Sequence, residues 1–201
     1  HWTTRKDLGL LADNGSTGAH CPTVFLRRGI ALNTFGEYGR RGINLGIGTD
    51  TYPHNYLDEL RTTLYTARAV GGSVADLTTG NVFDAATIGG ARALRRDDIG
   101  RLSVGARADV VLVDLKHPAM MPMREPLRSL IYVAGDRAVR DVFVNGEQVV
   151  SNGQVQTIDL TAASQALEDA QARSMELVPG RDWNGRTTDE LAPMVLPMLG
   201  A

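Results

Sequence analysis

At 201 residues, with 43% hydrophobic and 22% charged side chains, the chain has an ordinary soluble composition and enough length for one large domain or two small ones. A formal net charge of −2 and the lack of any dense Lys/Arg run argue against a nucleic-acid partner. No apolar run approaches the ~18 residues of a membrane span, so no membrane partner is expected, and a single cysteine, Cys21, excludes an internal disulfide and points to a cytoplasmic location.

The chain opens HWTTRKDLGLL, without an initiator Met, and reads as a cut chain. Thr4 is a candidate N-cap for a short helix carrying Leu8, Leu10 and Leu11, closed by Asn14-Gly15. Ser16 to His20 follows as a brief strand that Pro22 must end or confine to an edge. NTFGEYGRRG gives a second short helix closed by Gly42, and INLGIGT, from Ile43 to Thr49, a second strand. Helix, strand, helix, strand is the rhythm of parallel β/α units, so the fold class is α/β. YLDELRTTLYTARAV sets Leu57, Leu60, Leu64 and Ala67 on one helical face, with Asp58 and Glu59 in the first turn where the dipole favours them. NVFDAATIGGARALRR is a further helix, weakened by Gly89 and Gly90.

Beyond Asp97 the pattern becomes β-branched and punctuated by glycine, and Asn145-Gly146 between two apolar runs is a strong hairpin signal. A second, antiparallel module is expected from residue 98 to about residue 160. LTAASQALEDAQARSMEL is a last helix, and the tail from Pro179 shows no usable period.

In β/α architectures functional side chains sit where strands end at their C-terminal edge. His20 and Asp50 both occupy such a position. His20 and Cys21 are consecutive and point to opposite faces, which argues against a Cys-His nucleophilic pair and leaves Cys21 as a buried, inert thiol. Gly46 and Gly48 lack the third glycine of a dinucleotide fingerprint. Asp50 lies too early to cap the helix that starts near Leu57, for which Asn55 or Tyr56 is better placed. Metal ligation and a structural carboxylate both remain open for Asp50. His20, Asp50 and His54 form a conceivable two-His, one-carboxylate set, although His54 fits a substrate-facing loop better and His20 fits a pocket wall equally well.

AHCPT ending one strand, GIGTD ending the next, then IGRLSVGARADVVLVDL and DVFVNGEQVV, together resemble the amidohydrolase superfamily, and within it the cytosine deaminase and chlorohydrolase-type branch that includes guanine, adenosylhomocysteine and triazine hydrolases. The resemblance covers residues 1 to about 160. It implies the C-terminal part of a (β/α)8 barrel over residues 1–97, its seventh and eighth strands being Ser16 to His20 and Ile43 to Thr49. Part of a small β-sandwich over 98–160 and a C-terminal helix and tail over 161–201 would follow.

The resemblance implies that Asp50 is the family's last metal ligand and also the general base and proton shuttle, with Zn2+ as cofactor and Fe2+ as the alternative. His20 matches a pocket-wall histidine. The paired His-x-His and the two later histidines of the family do not occur here, and His1 falls too late to be any of them. TVFLRRG follows AHCP where relatives are often polar, so Val24 and Phe25 are expected to line an apolar wall; in TYPHN, Tyr52, His54 and Asn55 either contact substrate or belong to a loop that packs on itself. The implied intact enzyme is a homo-oligomer that hydrolyses C–N or related bonds of a heterocyclic small molecule, this chain alone being incomplete and inactive. The alternative is a free-standing fragment that no longer catalyses and acts as a binding module.

Overall fold

The computed structural model describes residues 3–32, 35–52 and 54–196, which fall into two compact units, 1–154 and 155–201. His1, Asn33, Thr34 and Pro53, which enter the readings above, lie outside the described residues. In the first unit α1 (Arg5–Asp13) starts at Thr4. The Thr4 hydroxyl accepts the Asp7 amide and the Asp7 carboxylate accepts the Thr4 amide, so two otherwise orphaned donors are satisfied together.

β1 (Thr17–His20) and β2 (Asn44–Ile47) pair in parallel, with Thr17 opposite Asn44 and His20 opposite Ile47. A parallel pair needs a crossover, and α2 (Pro22–Leu26) and α3 (Phe35–Arg40) lie within it. Pro22 does more than end a strand: it takes the first position of α2, where its missing N–H removes no helical bond.

α4 (Tyr56–Gly71) is capped by Asn55, whose side chain accepts the Asp58 amide at 3.2 Å. Leu60, Leu64 and Ala67 on this helix join Phe35, Leu77, Val82 and Ile131 in the main core, against which Leu45 and Ile47 of β2 pack. A second cluster of Leu8, Tyr38 and Ile43 also packs against Leu45 of β2. The helix expected over residues 81–96 is divided into α5 (Thr79–Asp84), a wide turn over Ala85–Gly89 and α6 (Gly90–Ala93). The wide turn presses on β2. A Cβ on Gly89 would lie 1.9 Å from the Leu45 carbonyl oxygen, and the Asn44 side chain donates to the Gly89 carbonyl at 2.9 Å.

β3 (Val110–Val113), β4 (Val139–Val144) and β5 (Glu147–Ser151) are antiparallel neighbours. Asn145 and Gly146 join β4 to β5 with φ of 52° and 86°, the mirror-image two-residue turn that suits twisted strands. Between β3 and β4 the chain forms α7 (Pro126–Ser129) and helical turns on either side. Their Ile131 enters the α4 core, and Arg61 of α4 donates to its carbonyl at 2.8 Å. The change of pattern near residue 98 therefore falls inside the first unit.

In the second unit, β6 (Gln154–Val155) ends at its start, and α8 (Leu160–Arg181) is capped by Asp159, which accepts the Ala162 amide at 3.0 Å. The helix runs through Pro179 rather than stopping there, because the ring removes one donor in the last turn while the Asp182 amide still bonds the Val178 carbonyl. α9 (Thr188–Leu191) follows with a Thr187–Glu190 capping box. Among the described residues no helix is long and apolar enough to cross a membrane.

Candidate functional site

The C-terminal ends of β1 and β2 bring His20 and the Asp50 loop to one edge of the parallel pair, the Gly48 amide donating to the His20 carbonyl at 3.0 Å. His20 is buried at 5% exposure and its ring centroid stands 4.7 Å from that of Phe35. Burial disfavours the imidazolium and lowers the His20 pKa to about 4, so the ring is neutral near pH 7.

Asp50 is exposed, three residues past the end of β2. Its φ is +60°, and the flanking Thr51 amide bonds the Thr49 carbonyl at 2.6 Å, which makes Asp50 the central residue of a positive-φ γ-turn. Short polar side chains tolerate this region better than others, yet such a backbone still costs on the order of 1–3 kcal/mol and persists only where neighbours over-determine it.

Cys21, Tyr56 and Glu59 surround this edge. Cys21 is half-buried rather than fully buried, and its Sγ would lie 3.3 Å from a Cβ on Gly48. Burial first, then the Asp50 and Glu59 carboxylates, push the thiol pKa up, so Cys21 is held protonated and lacks the thiolate a nucleophile needs. Tyr56 donates its hydroxyl to the Ile47 carbonyl at 3.0 Å, tying the start of α4 to the end of β2.

From the sequence alone Glu59 serves only the helix dipole. The structure buries it to 4% exposure and sets its carboxylate against the start of α2, where it accepts the Thr23 amide at 3.3 Å. Burial raises its pKa. A signal was present in the sequence: Glu59, Thr63 and Thr66 repeat at helical spacing beside the apolar stripe, and all three are buried. A cavity of about 280 Å³ beside the start of α4 is lined by Thr23, Asn55, Asp58, Glu59, Arg61 and Thr62. Asp50 is not part of its wall.

The other sequence candidates are placed as follows. His54 is exposed and its Nδ1 shares a 3.0 Å hydrogen bond with the Thr49 hydroxyl, so it closes the loop that carries Asp50. Asn55 spends its side-chain oxygen on the α4 cap. Phe25 is half-buried on α2 beside the buried Val24. Among the described residues no group of three or more His, Cys, Asp and Glu side chains could hold a metal ion. Asp50 therefore offers one carboxylate, and the described residues do not complete a metal site by themselves.

β1 and β2 are parallel with helices in the crossover between them, and residues 1–149 match the amidohydrolase family. The chain belongs to that family. A 5-methylthioadenosine/S-adenosylhomocysteine deaminase of Moorella thermoacetica is 34% identical over 164 residues, which are 79% of this chain and 38% of that protein. One from Pyrococcus horikoshii is 31% identical over 162 residues, again 79% of this chain and 38% of that protein.

Among solved structures, an adenosine deaminase from Xanthomonas campestris with bound zinc superposes with a TM-score of 0.81 at 32% identity, over 86% of this chain and 40% of that one. Atrazine chlorohydrolase TrzN from Arthrobacter aurescens TC1, complexed with zinc, gives 0.74 at 28% identity, over 82% of this chain and 38% of that one. The chain thus spans well under half the length of the relatives it matches.

Proposed function

We propose that this chain supplies the C-terminal part of a metal-dependent amidohydrolase, its β1 and β2 being the last two strands of a (β/α)8 barrel and residues 98–160 part of a β-sandwich. The reaction is hydrolysis, a deamination or a related displacement, at a ring carbon of a heterocyclic small molecule. Membership of the family and the resemblance to zinc-bound deaminase and chlorohydrolase structures support the class. The observation that carries the assignment is Asp50: a carboxylate at a strand's C-terminal end, exposed and held in a γ-turn with φ +60°.

Bound zinc, with iron the alternative, would acidify a water molecule. Asp50 would receive the proton of the attacking water and return it to the leaving group, with neutral His20, half-buried Phe25, His54 and Asn55 as the residues that contact substrate. A second reading, a binding module, draws on one feature. Among the described residues β1 and β2 form a sheet of two strands, so each presents an unpaired edge to a partner.

Zinc content separates the two. In a chimera of the Moorella thermoacetica deaminase carrying this chain in place of its matched 164 residues, stoichiometric zinc is expected, and it falls when Asp50 is replaced by Ala. A chimera whose zinc content is unchanged by Asp50→Ala would remove Asp50 from the metal site.

A further inference from the structure

A strained turn needs something to hold it, and the loop after Asp50 is gripped from the end of α2. Arg27, at the C-terminal end of α2, donates from Nη1 to the Tyr52 carbonyl at 2.9 Å and from Nη2 to the Tyr52 hydroxyl at 3.2 Å. Its guanidinium carbon also lies 4.7 Å from the centroid of the Tyr52 ring. Three contacts from one side chain converge on a residue two positions past Asp50. Only a planar fork that both stacks and donates can make all three; a lysine at position 27 could not.

The anchor behind Arg27 is firm. α2 begins at Pro22 and Thr23, whose amide is bonded by buried Glu59 of α4, so this short helix is tied to the core at its start and grips the loop at its end. On the other side of the turn Thr49 is tied to His54. Asp50 and Thr51 lie between these two ties, with the Thr51 amide closing the γ-turn on Thr49.

We propose that Arg27 is a positioning residue for Asp50, holding the γ-turn by gripping Tyr52 and thereby fixing where the carboxylate stands. The proposal rests on Asp50 being the reacting carboxylate. Arg27 itself touches neither the carboxylate nor the reacting atoms. Its loss should therefore reduce turnover through misplacement of Asp50 while leaving substrate affinity nearly intact.

The test has two readouts. In the 201-residue chain, amide exchange at Thr51 is measured by NMR for the unaltered protein, Arg27→Ala, Arg27→Lys and, as a control that removes the same charge one residue on, Arg28→Ala. Exchange at Thr51 is expected to rise about tenfold in Arg27→Ala and at least in part in Arg27→Lys, and to stay unchanged in Arg28→Ala. In the chimera, Arg27→Ala is expected to lower kcat about tenfold with KM within about twofold.

Unchanged Thr51 exchange in Arg27→Ala overturns the grip. An unchanged kcat beside faster exchange overturns its bearing on Asp50. A chimera that is inactive with Arg27 in place counts against the functional reading instead, and the exchange readout then decides the grip alone.

Discussion

β4 and β5 meet across Asn145 and Gly146, whose left-handed φ values of 52° and 86° aim the two strands at each other. β1 and β2 meet across a crossover containing two helices, and their partner surface is supplied from further along the chain by Asn44 bonding Gly89 and by the wide turn lying on Leu45. The first pairing is local and needs the right turn residues. The second is tertiary and needs close packing of distant segments.

The charged groups divide the same way. Next to the antiparallel strands, half-buried Asp98 is bonded by Arg96 and Arg107, which hold its carboxyl well below the usual range, a surface arrangement worth little to stability. Around the parallel pair, His20 is buried neutral, Glu59 is buried against a backbone amide and Asp50 sits in a strained turn. His20 and Glu59, whose charged forms burial disfavours, both lie where tertiary packing can hold them.

Two glycine substitutions would break this contrast if it were false. Gly89→Ala drives a Cβ to 1.9 Å from the Leu45 carbonyl oxygen, a backbone atom that cannot swing aside. A loss of about 3 kcal/mol in urea unfolding is expected. Gly146→Ala, with the nearest atom 3.9 Å away, meets only the penalty of its positive φ, about 1 kcal/mol. Equal costs at the two positions would contradict the distinction between tertiary and local pairing.

Acid sharpens the comparison further. The His20 pKa is lowered from 6.5 to about 4, so below pH 6.5 the unfolded chain binds a proton that the folded chain refuses. Stability is therefore complete above about pH 6.5 and is lost as pH falls towards 4, by up to roughly 3 kcal/mol. In His20→Leu this part of the acid dependence should vanish from unfolding curves recorded between those pH values. An unaltered slope would mean that His20 is not buried neutral. Glu59, whose pKa is raised by burial, acts with the opposite sign: its contribution is greatest at low pH and declines as pH rises through its folded-state value.

What could be read in advance follows the same division. The Asn145-Gly146 turn, the Thr4 cap and the Asn55 cap depend on a few adjacent residues, and each was legible in the sequence. The second mirror-image pair, Asn152-Gly153 with φ of 50° and 75°, carries the same signal but was not singled out. α2 was missed because Pro22 reads as a strand breaker until one asks whether it starts a helix. The division of the helix over residues 81–96 could not be read, since the turn over Ala85–Gly89 answers to Leu45, which lies far away in sequence.

Asp50 stood out as a carboxylate at the end of an apolar run. What holds it did not, because Arg27 and Tyr52 are ordinary surface residues until the fold places one over the other. Glu59 reads first as a charged first-turn residue, and only its helical spacing with Thr63 and Thr66 marks it as part of a buried face. Its burial depends on α2 covering α4, and α2 was not in the reading.

The most direct measurement is turnover by the chimera of the Moorella thermoacetica deaminase that carries this chain, assayed on that enzyme's own substrate, with Asp at position 50 and with Asn in its place. Asn tolerates the same left-handed backbone, so the substitution removes the charge and leaves the turn. Measurable turnover that falls at least about a hundredfold in Asp50→Asn is the predicted result. Turnover by the Asn variant close to that of the Asp form would contradict the assignment of Asp50 as the group that moves the proton.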